Sequence, residues 1–211
     1  PKDVPFGSCA QELGLLLFGF PDLYDEHYSS NGIGDWCLMS GGNWCNEGRT
    51  PTHPSAWCKA SQGWVTTITP TSNLKGVSIK DVKTDKKIYK LWKDGVAGKE
   101  YFLVENRQKK KFDKFLPGSG LLIWHIDDSI EENSNEAHYR VALKQADGQK
   151  DLEHGENSGD PADSFPGDAQ KQKFNASTNP NSKSYAGVNS MVRISNIKIV
   201  RGVAKADISV K

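Results

Sequence analysis

In the stretch CAQELGLLLFGFPDLYDEHY, which begins at Cys9, a glutamate stands where a metal-dependent hydrolase keeps its general base. Two histidines one helical turn apart can face one zinc ion, and the glutamate between them polarises the metal-bound water. Here Glu12 is present, but the flanking positions hold Gln11 and Leu15. Glutamine is a poor ligand for first-row metals and leucine is none. Spacing alone therefore reads Ala10 to Phe18 as an amphipathic helix with a surface glutamate, at a position that cannot hold catalytic zinc in the usual way.

A second constellation lies far downstream. Asp147, Asp151, Asp160 and Asp163 alternate with glycines and turn formers in ADGQKDLEHGENSGDPADSFPG, with Glu156, Asn157 and Asp168 in reserve. Calcium takes roughly six to eight hard oxygens from carboxylates, amides and backbone in a bent loop. The spacing is not that of an EF-hand, so a calcium site is expected on ligand type, against the alternative of a solvated loop whose Asp, Asn and Gly only make turns.

Cys9, Cys37, Cys45 and Cys58 all fall in the first third of the chain. An even, clustered set without a C-x-x-C pair predicts two disulfides in an oxidising compartment, of open connectivity, with free buried thiols or metal ligation as alternatives. The histidines His27, His53, His125, His138 and His154 contain no pair one helical turn apart. His125 reads as a hydrogen-bonded core residue, and a rescued metal site of His53 or His138 with Glu12 would lack preorganised ligands. Trp36, Trp44, Trp57 and Trp64 crowd one glycine-rich segment and are expected to form a small core there, the alternative being sugar stacking or a protein anchor. Lys109, Lys110 and Lys111 read as a solvated turn. Asn175-Ala176-Ser177 is a glycosylation sequon.

These residues need elements to hold them. Gly19 and Pro21 end the first helix, a broken segment follows to about Trp57, and a second short helix starts near Pro54-Ser55. From Gly63 onward short β-type runs alternate with turn residues: GWVTTITP, LKGVSIKDV, KIYKLWK, EYFLVENRQ, GLLIWHID, HYRVALKQA, MVRISNIKIV and KADISVK. Such spacing predicts an antiparallel sandwich or barrel, with the nearly continuous apolar GLLIWHI as a central strand. The polar stretch between the sixth and seventh runs is long for a loop unless something orders it.

The ordered motifs ELGLLLFGFPDLYD, GIGDWCLMSGGNW, HPSAWCKASQGWV, EYFLVENRQ, FDKFLPGSGLLIWHIDD and ADGQKDLEHGENSGDPADSFPG resemble the immune inhibitor A family of secreted bacterial zinc metallopeptidases. The resemblance implies a helix reading His-Glu-x-Gly-His, which places the first histidine at Gln11, the general base at Glu12 and the second histidine at Leu15. It puts a third zinc ligand at Asp22 and Met39 in a methionine-containing turn beneath the metal, and strengthens the expectation of calcium. It also implies upstream strands whose edge binds substrate backbone, on a separate chain, cleaved away or dispensable here.

The fold expected is α+β: residues 1–64 a remnant of the active-site helix and Met-turn region, residues 65–211 a mainly antiparallel β body of the same domain, with the acidic loop near 146–169. A net charge of +1, from 27 basic and 26 acidic side chains, gives no argument for nucleic acid. No apolar run approaches the roughly 20 residues of a membrane span. Pro1-Lys2-Asp3 has no leader character, so a signal peptide is absent or already removed. The function expected is a secreted, catalytically inactive relative of a zinc metalloendopeptidase, zinc absent, acting as a structural or binding module. The alternatives are part of a genuine zinc endopeptidase in inactivated or processed form, and a subunit of an extracellular assembly.

Overall fold

A computed structural model describes residues 4–211; the reading of Pro1, Lys2 and Asp3 lies outside them. Helix α1 runs Phe6–Phe18, and Gly19 closes it in the left-handed conformation (φ 63°). Gly19 N–H donates to the Leu15 carbonyl and Phe20 N–H to that of Gly14, which satisfies two free helix-end acceptors. The helix begins four residues earlier than its apolar pattern predicts. A tertiary contact explains this: Gly7 N–H donates to the Gly48 carbonyl at 2.7 Å, and the helix backbone lies so close to the Asn43 carbonyl that only glycine fits.

The amphipathicity of α1 is inverted. Its buried positions are Gly7, Gln11 and Gly14, whereas Leu16 is 80 % and Leu17 64 % exposed, with Phe6 and Leu13 also exposed. The apolar stripe faces outward.

Helix α2 (Ala56–Ser61) starts where expected, its N-terminus capped by Ser55 Oγ accepting from Cys58 N–H. A one-turn helix α3 (Val82–Asp85) is capped by Asp81. All eight β-type runs form strands: β1 (Thr66–Ile68), β2 (Leu74–Ile79), β3 (Lys87–Leu91), β4 (Glu100–Arg107), β5 (Gly120–Asp127), β6 (Val141–Leu143), β7 (Arg193–Val200) and β8 (Val203–Ser209).

They divide into a five-stranded sheet of order β1-β3-β4-β5-β6 and a three-stranded sheet of order β2-β8-β7. All pairs are antiparallel except β1 with β3, which is parallel. The sheets stack as layers and do not close into a barrel.

One core joins Leu122, Trp124, Ile126 and Leu103 of the larger sheet to Leu23, Trp36, Met39 and Trp57 of the glycine-rich segment. The second joins Leu121, Ile123, Phe102 and Val104 on the opposite face to Ile194, Ile197, Ala204 and Ile208 of the smaller sheet. Because both faces of β5 are covered, all eight of its residues are buried, which is why GLLIWHID lacks the apolar-polar alternation of a half-solvated strand.

The four cysteines form no disulfide, which corrects the sequence expectation. Cys9 is exposed on α1, and Cys45 Sγ lies 3.8 Å from the Phe115 carbonyl. Cys37 and Cys58 are both buried beside Ser55, whose N–H donates to Cys37 Sγ at 3.2 Å and whose Oγ–H donates to Cys58 Sγ at 3.4 Å. Burial raises the Cys37 thiol pKa, but hydrogen bonds from the Cys58 S–H and from the Met39 and Ser55 N–H groups outweigh it and lower the net value. The clustering reflects a buried, hydrogen-bonded thiol pair and two solitary thiols.

The tryptophans likewise do not form one local core. Trp36 and Trp57 enter the main core, while Trp44 and Trp64 are exposed.

Candidate functional site

The buried face of α1 lies on the segment that carries Asp22, Met39 and Asn43. Met39 is fully buried beneath Gly14, where a β-carbon would come within 2.7 Å of its sulfur. Gln11 occupies the centre of this contact. Its Nε2 donates to Asp22 Oδ1 at 2.7 Å, and its Oε1 accepts from Asn43 Nδ2. Tyr24 O–H completes the chain, donating to Asp22 Oδ2 at 3.1 Å. Burial, then the charge of Asp22, pushes the Tyr24 phenol up to about 12, so it stays a donor. Leu15, one turn after Gln11, packs against the main core.

The structure thus brings Gln11, Asp22 and Asn43 together into a closed amide–carboxylate network. That arrangement does not fit catalytic zinc. A zinc site of this type needs three convergent lone-pair donors and an open fourth position; here Gln11 turns a donor toward Asp22, and Leu15 offers no ligand atom. His53 and His138 do not join Glu12. His53 packs edge-on against Phe112, and His138 Nε2 sits 2.9 Å from Asp127.

Above the network is a cleft of about 330 Å³, lined among others by Gln11, Glu12, Tyr24, Asp25, Asn43 and Trp44. Glu12 is exposed on its wall. The Asp25 carboxylate is spent internally, accepting from the N–H groups of His27, Ser29 and Ser30.

What clamps the loops under this cleft is a buried ionic network with no counterpart in the sequence reading. Arg107, at the end of β4, is fully buried and pairs with Asp113 through Nε (2.8 Å) and Nη2 (2.6 Å). It also donates to the carbonyls of Trp36, His53 and Pro54. Lys59 Nζ of α2 donates to Glu105 at 2.6 Å, and Lys83 of α3 to Asp113 at 2.9 Å. Burial raises the Asp113 pKa, but Arg107 and then Lys83 hold it far below the ordinary carboxylate range. Five donors in a planar fork suit arginine to binding several carbonyls at once. The only trace in the sequence is that ENRQ interrupts an apolar strand with charge.

The acidic loop forms a second, separate cluster. Asp147, Asp160 and Asp163 each offer a carboxylate oxygen, all within 4.8 Å of one another. Asp163 Oδ2 also accepts from Trp36 Nε1 at 2.9 Å, which ties the loop to the glycine-rich segment. Burial, then the charges of Asp160 and Asp147, pushes the Asp163 carboxyl up to about 7. Hard carboxylate oxygens are the donor type that calcium takes. Asp151 and Asp168 do not join them: Asp151 Oδ2 accepts from Asn157 Nδ2 at 3.0 Å, and Asn157 also reaches Asp160.

His125 is buried with Nε2 2.8 Å from Glu100, in a stack between Phe102 and Tyr185. Asn175 of the sequon is half-buried, its Oδ1 accepting from Ser177 N–H at 2.8 Å. Among the described residues no helix is long and apolar enough to cross a membrane.

The model of the immune inhibitor A peptidase M6 catalytic domain matches residues 1–69, the segment holding α1, Asp22, Met39 and α2. Over that segment the chain is similar to the catalytic domain of the immune inhibitor A peptidases. No curated protein matches the chain.

Proposed function

We propose that this chain is a non-catalytic relative of a zinc metalloendopeptidase, secreted and acting as a structural or binding module. The observation that carries the reading is the Gln11–Asp22–Asn43 network, in which two of the expected ligand positions, Gln11 and Asp22, are hydrogen-bonded to each other and Gln11 is held by Asn43. Glu12 is retained on the cleft wall with no metal-bound water to polarise, and Met39 keeps a packing role. Secretion rests on the family relationship and the sequon at Asn175.

In the same reading, calcium is held by Asp147, Asp160 and Asp163, where it neutralises crowded carboxylates and orders the long loop. The outward apolar stripe of α1 is the face that an upstream peptidase half, or another protein partner, would cover; contiguous exposed apolar surface marks such contacts.

The test is elemental analysis with a casein-cleavage assay on the unmodified chain and on Gln11→His/Leu15→His. The unmodified chain is expected to carry no stoichiometric zinc and to cleave nothing. Stoichiometric zinc with chelator-sensitive proteolysis in the unmodified chain would overturn the proposal.

A further inference from the structure

A cavity of about 260 Å³ opens where the loop before α2, the turn into β1, helix α3 and Lys111 converge. Its apolar walls are Pro54, Trp64, Val65 and Val82. Trp64 is held by edge-on contacts with Phe18 and Phe20, at centroid distances of 4.9 and 5.7 Å, so the largest wall is formed before any ligand arrives. The charged lining is of one sign: Lys59, Lys83, Lys86 and Lys111 contribute to it, and no carboxylate does. Low-dielectric walls of one charge sign concentrate a ligand of the opposite sign.

Two of these lysines are already paired. Lys59 and Lys83 belong to the buried network, in which three cations, Lys59, Lys83 and Arg107, meet three carboxylates, Asp81, Glu105 and Asp113. That network is neutral as a whole. Lys86 and Lys111 are exposed and, among the described residues, pair with no carboxylate; Asp85, next to Lys86 in sequence, pairs with Lys87 instead. The cavity therefore carries an unbalanced positive charge.

His53 adds a donor. Burial, opposed by Asp113 and reinforced by Arg107, Lys59 and Lys83, lowers its pKa to about 4, so the ring is neutral near pH 7. A neutral imidazole offers one N–H, and among the described residues the hydrogen bonds of His53 are made by its backbone, not its ring.

These features select the ligand by exclusion. A cation meets four ammonium groups. A bare phosphate leaves the apolar walls unused and finds no arginine fork. A neutral apolar molecule leaves Lys86 and Lys111 unbalanced. The volume is below the roughly 300–1,000 Å³ of sites for drug-sized ligands, which suits one ring or branched chain.

We propose that this cavity binds a small apolar carboxylate, either a free acid or the terminal residue of a peptide, with its apolar body against Trp64, Val65 and Val82 and its carboxylate paired by Lys86 and Lys111. Gln11, Glu12 and Asp22 do not line the cavity, so binding here is independent of whether zinc is held at α1.

Calorimetry and tryptophan fluorescence with 3-phenylpropionate, with its amide, with a peptide ending in a free phenylalanine and with the same peptide amidated at its C-terminus distinguish the two sources. Inorganic phosphate serves as the anion without an apolar body. Saturable binding of at least one free carboxylate is expected, with neither amide bound, weakening with salt and losing about fivefold in each of Lys86→Gln and Lys111→Gln and about tenfold in Trp64→Ala. The surface control Lys171→Gln, also one charge removed, binds as the unmodified chain does. Melting curves establish that each variant is folded. Folded protein that ignores both carboxylates at millimolar concentration, binds the amides equally well, or takes phosphate as readily as the apolar acid overturns the proposal.

Discussion

At Gln11 a single side chain ties the first helix to two separate loop residues. A carboxamide donates with one end and accepts with the other, so it can bridge Asp22 and Asn43 without a cation, which a histidine pair around zinc cannot do. The residues that clamp this arrangement are charged and buried, and removing one partner from such a network strands the others. Arg107→Met is therefore expected to destabilise the protein by about 3–5 kcal/mol in chemical denaturation, because Asp113 is left with only Lys83 and the His53 N–H, and the carbonyls of Trp36, His53 and Pro54 lose the guanidinium. His125 sets a pH dependence. Burial lowers its folded-state value to about 4 from the ordinary 6.5. Between those values the unfolded chain binds a proton that the folded one does not, so stability falls as pH drops from 6.5 through 4, by up to roughly 3 kcal/mol. His53, lowered to about 4 mainly by burial, acts in the same direction. Denaturation midpoints of His125→Gln across pH 4 to 7 are expected to flatten relative to the unmodified chain; an unchanged slope would assign the effect elsewhere.

Helix α1 is the element whose role the pattern of its own residues misstates. Its periodicity is that of a helix, but the stripe of leucines that ordinarily marks the core side points to solvent, and glycines and a glutamine make the inner contact. Two expectations follow from this inversion. Gly-to-Ala in a helix usually stabilises by up to about 1 kcal/mol, yet Gly7→Ala is expected to destabilise, because its β-carbon would collide with the Asn43 carbonyl. Leu16→Lys/Leu17→Lys, a severe change if these residues lay in a core, should stay within about 0.5 kcal/mol per site and raise solubility. Urea titrations and light scattering check both, and a large loss of stability in the leucine variant would place that stripe inside a core of the isolated chain. The strands were more legible. Each run of β-branched and aromatic residues became a strand, since alternation and turn residues act locally.

Across the whole molecule, three layers meet: the helix and loop layer carrying the cleft, the five-stranded sheet, and the three-stranded sheet. The acidic loop touches the first of these through Trp36 and Asp163, so a cation bound there should stabilise more than the loop itself. With calcium at about a hundred times its dissociation constant, the melting temperature is expected to rise by about 5–10 °C over the chelated protein, and Asp160→Asn should abolish the difference. Equal melting with and without chelator would exclude a structural ion. Much of this organisation is local and was readable from residue order: the helix end at Gly19, the start of the second helix near Ser55, the eight strands, and the density of oxygen ligands near Asp160. The rest depends on which distant segments meet. No local pattern distinguishes a thiol beside another thiol from a disulfide, tells which face of α1 finds a partner, pairs β1 in parallel with β3, or separates β2, β7 and β8 into a second sheet. Nor does the order of residues announce that Arg107 reaches carbonyls more than fifty positions away. Periodicity and capping are set by neighbours along the chain and so belong to the sequence; burial, pairing and the hydrogen-bonded meeting of Gln11, Asp22 and Asn43 are set by contacts across space, which only the tertiary structure decides.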